Sequence, residues 1–245
     1  MVERWRPVKV AVVTPYYQEP LEWLLKTHES VLAQSYACRH VLVADGFPRK
    51  ELSGWDVDHV LLPKAHGDIG STPRLIGAYH AIGLGFNAIA FLDADNWYAP
   101  DHIAGLVKLA QSVDAGFVSS GRWLCRIDGS LMKVCPNTNP DLFIDTNCMM
   151  FMRSAFPLLA QWVLMPSYGH VIGDRIMYHA VRQSGVRRAH SENPTVFYRC
   201  SKAGIYRVLG EPIPPGVVEP PNYSVAFRRW VEDGNPPLNK KISEK

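Results

Sequence analysis

Apolar positions fall in short blocks along the first hundred or so residues, and the blocks alternate between two periods. Val8-Lys9-Val10-Ala11-Val12-Val13 is β-branched and apolar and ends at Thr14-Pro15, which predicts a first central strand. From Pro20 to Tyr36 the spacing becomes helical. Leu21, Leu24, Leu25, His28, Val31 and Leu32 recur three and four apart, so most of them should face a core, and Pro20 suits a first helical turn. His40 to Asp45 reads as a second strand closed by Gly46, and Val60 to Leu62 as a shorter third. Pro73 to Leu84 predicts the next helix, and Ala88 to Leu92 a buried strand. Strands and helices in alternation predict an α/β fold with a parallel sheet.

The pattern changes after that. Ala115 to Ser120, Arg122 to Ile127 and Leu131 to Cys135 read as short strands, with Asp128-Gly129 as a tight hairpin turn. Thr146 to Met152 is a further apolar strand, and Gly173-Asp174 opens a helix to about Gln183 that Gly185 stops. From Gly210 onward the chain is rich in Pro, Gly and charge, as in an extended or disordered arm. The expected organisation is one domain over residues 1–209 and a Pro-rich arm over 210–245.

Composition narrows the class. The chain has 245 residues, 47% of them hydrophobic, enough for one large domain with a core. No apolar stretch reaches the roughly 20 residues that cross a bilayer. The charged start, Met1 to Arg6, does not read as a signal peptide. Cys38, Cys125, Cys135, Cys148 and Cys200 are odd in number and scattered, so reduced thiols, a cytoplasmic location and no structural zinc are expected. A net charge of +3 is too mild for a nucleic-acid partner. Basic residues lean toward the C-terminal half, from Arg182, Arg187, Arg188, Arg199, Lys202 and Arg207 to Arg228, Arg229, Lys240 and Lys241. They form either a solvated face or a peripheral surface for phosphate or anionic lipid headgroups.

The chemistry-bearing feature is Asp93-Ala94-Asp95, placed directly after an apolar strand. Side chains two apart on a strand point the same way, so two carboxylates are aimed into one volume. They repel unless a cation is held there, and Mg²⁺ or Mn²⁺ takes oxygen ligands and bridges carboxylate to diphosphate. Asp56-Val57-Asp58 has the same spacing but no apolar run before it, and reads as a solvated loop. With Asp93 and Asp95, Thr14-Pro15-Tyr16 and Asp45 fall at the carboxyl ends of predicted strands, where open α/β sheets bind ligands. Asp45 suits the ring N–H of a pyrimidine or the N–H pair of a guanine edge, and equally a helix cap. Tyr16 or Tyr17 could stack on a base or lie in the core. No glycine-rich phosphate loop of either common kind is present, so a diphosphate would need the metal and a cation such as Arg74.

Several motifs in order now resemble glycosyltransferase family 2. They are Thr14-Pro15-Tyr16-Tyr17-Gln18-Glu19, Ser30-Val31-Leu32-Ala33-Gln34-Ser35-Tyr36, Val41 to Gly46, Gly67 to Arg74, and Phe91-Leu92-Asp93-Ala94-Asp95-Asn96. The resemblance spans about residues 8–105 strongly and 140–200 weakly. It implies a GT-A fold, with a nucleotide-binding part over about 8–105 and an acceptor part over about 106–209. It also implies metal-assisted, inverting transfer of one sugar from a UDP- or GDP-linked donor to a glycan, lipid-linked or small-molecule acceptor. By resemblance Thr14, Pro15, Tyr16, Glu19, Asp45, Arg74 and Asp93 would bind the nucleotide. Asp93 and Asp95 would hold the metal, Asp174 would be the catalytic base, and Asp145, Thr146 and Asn147 would line the acceptor side. His170, Trp97 and Trp123 are weaker acceptor candidates.

The departures are specific. Gly46 stands where a second acid is common, Gly173 where a Glu usually precedes the base, and the segment Phe197 to Ser201 lacks the usual histidine. The processive QxxRW signature is absent, which favours adding a single sugar. A sugar-phosphate nucleotidyltransferase and a non-catalytic nucleotide-sugar-binding protein are the competing expectations.

Overall fold

Strand β1 (Val10–Tyr16) is the axis of the fold, and all seven of its residues are buried. In the computed structural model, which describes residues 7–136 and 139–238, β1 pairs in parallel with β2 (Cys38–Asp45) and with β4 (Ala88–Phe91). Strand β3 (Asp58–Leu62) extends the parallel set beyond β2. The other half of the sheet is mixed. Strand β8 (Met149–Met152) runs antiparallel to β4, and β6 (Phe117–Cys125) antiparallel to β8. Strand β9 (Arg188–Arg199) is parallel to β6, and β5 (Trp97–Tyr98) antiparallel to β9. The order is β3-β2-β1-β4-β8-β6-β9-β5, with β7 (Leu131–Val134) hairpinned onto β6. This is the expected α/β architecture of GT-A type: a parallel nucleotide-side sheet continued by an antiparallel portion.

Helices cover both faces, which is why the first strands read as unbroken apolar runs. Helix α2 (Ser71–Gly83) lies on the Val13 and Val43 face so closely that a Cβ on Gly77 would come within 2.6 and 2.7 Å of those side chains. Helix α1 (Leu21–Leu32) covers the opposite face. There the imidazoles of His28 and His40 share a 2.9 Å hydrogen bond, and His40 continues to the Thr14 hydroxyl at 3.0 Å. Leu24, His28 and Val31 are the buried stripe of α1, while Leu25 and Leu32 are 42% and 54% exposed.

Other boundaries differ from expectation for physical reasons. Helix α1 stops at Leu32 rather than Tyr36, because Gln34 and Ser35 hydrogen-bond to the Ala99–Ile103 segment instead of continuing the helix. The two strands expected over 115–127 are one strand, β6, with register shifts around Gly121 against β9. Residues 146–148 form a 3-10 turn before β8. Asp58 opens β3 rather than lying in a loop, and it shares Arg39 with Asp56, the Arg39 Nε and Nη2 donating at 3.0 and 2.7 Å. Helix α3 (His102–Val113) and strand β9 were not expected. The segment after 210, expected as an arm, carries helix α7 (Tyr223–Glu232), whose Ala226 and Trp230 are buried in the main core. Two shorter helices, α4 (Gln161–Leu164) and α5 (Gly173–Gln183), and then α6 (Ala203–Leu209), complete the set used below. Met1 to Arg6, Lys240 and Lys241 lie outside the described residues.

The C-terminal basic residues are largely engaged. Arg199 is buried, Arg207 pairs with Glu219, and Arg188 donates to the Tyr178 hydroxyl. The five cysteines form no disulfide. Among the described residues no helix is long and apolar enough to cross a membrane.

Candidate active site

Two cavities share one wall. The first, of about 680 Å³, lies at the carboxyl ends of β1, β2 and β4 and is lined by Pro15, Tyr17, Glu19, Asp45, Asp95 and Lys202 among others. The second, of about 190 Å³, is lined by Asp145, Thr146, His170, Asp174, Tyr198 and Tyr223 among others. Ile69, Arg74 and Asp93 belong to both.

The acidic loop is held by helix α1. Strand β4 ends at Phe91, so Asp93 and Asp95 share a cavity through a turn closed by the Asn96 N–H donating to the Asp93 carbonyl at 3.1 Å, rather than through strand pleating. The Thr27 hydroxyl donates to the carbonyls of Ala94 and Asn96 at 3.0 and 2.7 Å. Ser30 Oγ accepts the Tyr98 N–H at 3.2 Å, and Gln34 bonds Ala99 and Ile103. Thr27 and Ser30 lie three apart on one face of α1, and Gln34, just beyond the helix end, continues the polar stripe. That stripe is the physical content of the first-helix motif.

Arg74 and Asp93 form the shared wall. Arg74 is 8% exposed; Nη2 donates to Asp93 Oδ1 at 2.5 Å and Nη1 to the Ile69 carbonyl at 2.8 Å. Its guanidinium lies 5.0 Å from the Trp162 ring, and its Nε–H has no partner among the described residues. Ile69 adopts φ +55°, unusual for a β-branched residue, and in that conformation its carbonyl meets Arg74. Behind the wall, Asn147 takes the Asp93 N–H on Oδ1 at 2.6 Å. Its Nδ2 donates to Asp93 Oδ2 at 3.0 Å and to Asp145 Oδ1 at 2.8 Å. Asp145 is closed by an ion pair with buried Arg122. An alternating chain, Arg122–Asp145–Asn147–Asp93–Arg74, therefore runs from one cavity to the other. Asn147 is 1% exposed and lines neither, so it supports the site from behind.

Asp95 differs from its partner. Burial first, then the negative charges of Asp93 and Glu19, push its carboxyl up to about 7, with Arg199 acting in the opposite sense. Arg199 Nε donates to the Asp95 backbone carbonyl, at 2.9 Å, while its Nη1 donates to the Ile127 carbonyl. Asp45 takes both the backbone N–H of His66, at 3.1 and 3.2 Å, and its Nδ1, at 2.6 Å from Oδ1. Oδ2 keeps a lone pair on a residue that lines the nucleotide-side cavity. Gly46 follows at φ +81°, and a Cβ there would come within 2.3 Å of the Ala65 nitrogen. The chain thus has no room for a second acid at that position.

The remaining expected residues divide. Pro15 and Glu19 line the larger cavity, with Glu19 Oε2 accepting the Tyr17 N–H at 2.6 Å. Thr14 is fully buried, its hydroxyl bound to His40, and lines neither cavity. Tyr16 reaches the cavity edge but is 1% exposed, its hydroxyl 2.7 Å from His59 Nε2, so the aromatic surface offered to a base is Tyr17, edge-on to Phe47 at 4.6 Å. Asp174 opens α5 in the smaller cavity and accepts the Arg175 N–H at 2.8 Å. Trp97 is packed between Phe197, at 5.4 Å, and Lys26. His170, bound to Ser71 Oγ at 2.9 Å, carries only a weak local signal, Lys202 is marked only as one of many C-terminal basic residues, and Tyr223 and Phe227 carry no signal as site residues. Their signal lies in tertiary placement, not in local pattern.

No match was found among curated proteins. Among solved structures the fold is similar to S. aureus TarS 1-349 in complex with UDP (TM-score 0.60, 12% identity, covering 82% of this chain and 63% of that one). It is also similar to S. aureus TarS (TM-score 0.57, 12% identity, 82% and 38%) and to TarS 1-349 in complex with UDP-GlcNAc (0.54, 12%, 78% and 58%). This chain thus spans less than two thirds of the length of each. The family profile described as Glycosyl transferase family 2 matches residues 11–208, which is most of the sequence. The chain belongs to glycosyl transferase family 2.

Proposed function

We propose that this protein moves one sugar from a nucleoside diphosphate sugar to an acceptor hydroxyl with inversion at the sugar carbon. The observation that carries the reading is the shared wall: Arg74 and Asp93 separate a nucleotide-sized cavity from a ring-sized one that holds Asp174. An inverting displacement needs the leaving diphosphate and the base on opposite faces of the sugar, and two cavities meeting at one wall supply that arrangement. Similar TarS structures hold UDP and UDP-GlcNAc, which supports a uridine-linked donor.

The residues have separate tasks. The spare lone pair of Asp45 suits the ring N–H of a pyrimidine, and Tyr17 offers a face to the base. Arg74, with one unpartnered buried N–H, and Lys202 across the cavity supply positive charge for the diphosphate. Asp174 takes the acceptor proton, and as a residue in the first turn of α5 it is held by the helix N-terminus.

The donor set fits a divalent ion. Asp93 is already engaged by Arg74 and Asn147, whereas the Asp95 carboxyl sits among negative neighbours and gains from a cation. No group of three His, Cys, Asp or Glu poised for a metal occurs among the described residues. Asp95, with Asp93 beside it, would hold Mg²⁺ or Mn²⁺, and the diphosphate would complete the shell as is usual for Mg²⁺. Such an ion would offset the charge that develops on the leaving diphosphate.

A nucleotide-sugar panel with mass analysis of products tests the reading. One hexose or hexosamine increment on an acceptor, with nucleoside diphosphate released, is expected. Asp174→Asn should lose transfer and keep nucleotide binding. Pyrophosphate release from a nucleoside triphosphate and a sugar phosphate would instead favour a nucleotidyltransferase.

A further inference from the structure

We propose that His66 sets which base the larger cavity accepts. By filling one oxygen of Asp45 it leaves a single acceptor position, so a base with one N–H at its edge is taken and a base with two is refused. This rests on the glycosyltransferase reading and adds to it the residue that selects the base of the donor.

Asp45 is the last residue of β2 and is 6% exposed. Its two oxygens are used unequally. Oδ1 accepts the His66 Nδ1–H at 2.6 Å and the His66 backbone N–H at 3.1 Å. Oδ2 shares only that backbone N–H, at 3.2 Å. A carboxylate has no hydrogen to give, so the imidazole proton is on Nδ1. Each carboxylate oxygen has two lone-pair positions, so Oδ1 is filled and Oδ2 keeps one. Asp45 lines the nucleotide-side cavity beside Tyr17, Ala65 and Gly67, the last two flanking His66 in the chain.

The imidazole is not needed to place the carboxylate. Strand β2 is held in register by β3, where Asp45 faces Leu62. Gly46 sits so close to the next segment that a Cβ there would come within 2.3 Å of the Ala65 nitrogen and 2.6 Å of the Lys64 carbonyl carbon. The backbone N–H of His66 then reaches Asp45 whatever side chain position 66 carries. What the imidazole adds is occupancy of Oδ1.

That occupancy distinguishes bases. Uracil offers one N–H, between two carbonyls. Guanine offers two side by side, the ring N1–H and the 2-amino group, and an open carboxylate would take both. Against Asp45 with Oδ1 filled, the second guanine N–H is buried without an acceptor, which weakens binding about tenfold or more. Size does not make the choice, because about 680 Å³ lies within the range of pockets that hold drug-sized ligands. Hypoxanthine isolates the effect: it is a purine with the N1–H but no 2-amino group.

Calorimetry of UDP, IDP and GDP with Mn²⁺, on the full chain, tests the proposal through ratios of affinity within each protein. The wild type should bind IDP about tenfold more tightly than GDP. His66→Ala frees Oδ1, and the order should reverse, with GDP the tighter of the two. His66→Asn sets an amide N–H where Nδ1–H stood and should restore the wild-type order, which a merely structural role for the ring would not require. If His66→Ala does not fold, the wild-type order and His66→Asn decide. GDP bound as tightly as IDP by the wild type, or an IDP-to-GDP ratio unmoved in His66→Ala, overturns the proposal. So does UDP binding with no purine nucleotide bound by either protein, since size would then select the base. Absence of all nucleotide binding in the wild type overturns the glycosyltransferase reading on which the proposal rests.

Discussion

Each carboxylate of the Asp93-Ala94-Asp95 motif has a different electrostatic setting, and the roles proposed for the two follow from it. Asp93 is neutralised by Arg74 and fixed by Asn147, so it is part of the wall, while the proposed cation falls to Asp95. Asp95→Ala should therefore lower turnover about 10²-fold or more, as for loss of a group that stabilises a developing anion. Its Tm without metal should hold or rise slightly, since a repulsion is relieved, and the Tm gain on adding Mn²⁺ should vanish. A metal-induced Tm gain that persists in the variant would refute the assignment. Asn147 makes a second test. Asn147→Asp keeps the shape but sets a third carboxylate between Asp93 and Asp145, in a place 1% exposed. A loss of about 3–5 kcal/mol in denaturant unfolding is expected, the cost of an uncompensated buried charge; an unchanged midpoint would show the chain of bonds to be slack. At this scale the placement of Asp45, Asp93, Asp95, Asp174 and Arg74 at the cavities was legible because each ends or shortly follows a strand or lies in the first turn of a helix. Thr14 and Tyr16 were not. Neighbouring strand residues face opposite sides, and nothing local says which side holds the ligand.

Among the elements, helix α1 matters beyond its apolar stripe. Its polar face grips the loop that carries both aspartates. Thr27→Val keeps the volume and leaves two buried carbonyls short of a donor, so a cost of about 1–3 kcal/mol is expected, together with weaker Mn²⁺-dependent nucleotide binding. Equal nucleotide affinity in variant and wild type would mean that α1 packs against the loop without positioning it. Asp58→Ala removes the main partner of Arg39 at the sheet edge. Both groups are partly exposed, so a loss of no more than about 1 kcal/mol, without change in turnover, is the expected result. The first four strands and α1, α2 and α5 were readable from periodicity because burial on defined faces imposes it. Strand β9 was not: Arg188 to Arg199 is mostly polar and contains Pro194, and it becomes a strand only by pairing with β6 and β5. Helix α7 was hidden by the Pro- and Gly-rich sequence leading into it, and its helical spacing, Tyr223, Ala226, Phe227 and Trp230, gains meaning only once the core it meets is formed.

For the molecule as a whole, buried histidines set the acid limit. His102 is 1% exposed, stacks on Tyr98 at 3.9 Å and bonds Thr195 through Nδ1, and burial lowers its pKa to about 3. A histidine depressed in the folded state gives stability that is fully present above its unfolded value, about 6.5, and is lost as pH falls toward 3. From pH 7.5 to 5 that amounts to about 2 kcal/mol. The raised Asp95 carboxyl has the opposite sign, so the test compares wild type with His102→Gln, which share it. The stability gap between the two should narrow by about that amount on acidification, and parallel curves would contradict it. The proposed function requires the larger cavity to take a nucleoside diphosphate through Asp95 and a divalent ion. Titration calorimetry of UDP into the wild type and into Asp95→Ala, each with and without Mn²⁺, is the decisive measurement. Binding to the wild type that tightens with Mn²⁺ is expected, with the metal-dependent part lost in the variant. Heat of binding identical in all four titrations, or absent from all, with GDP as well as UDP, would contradict it.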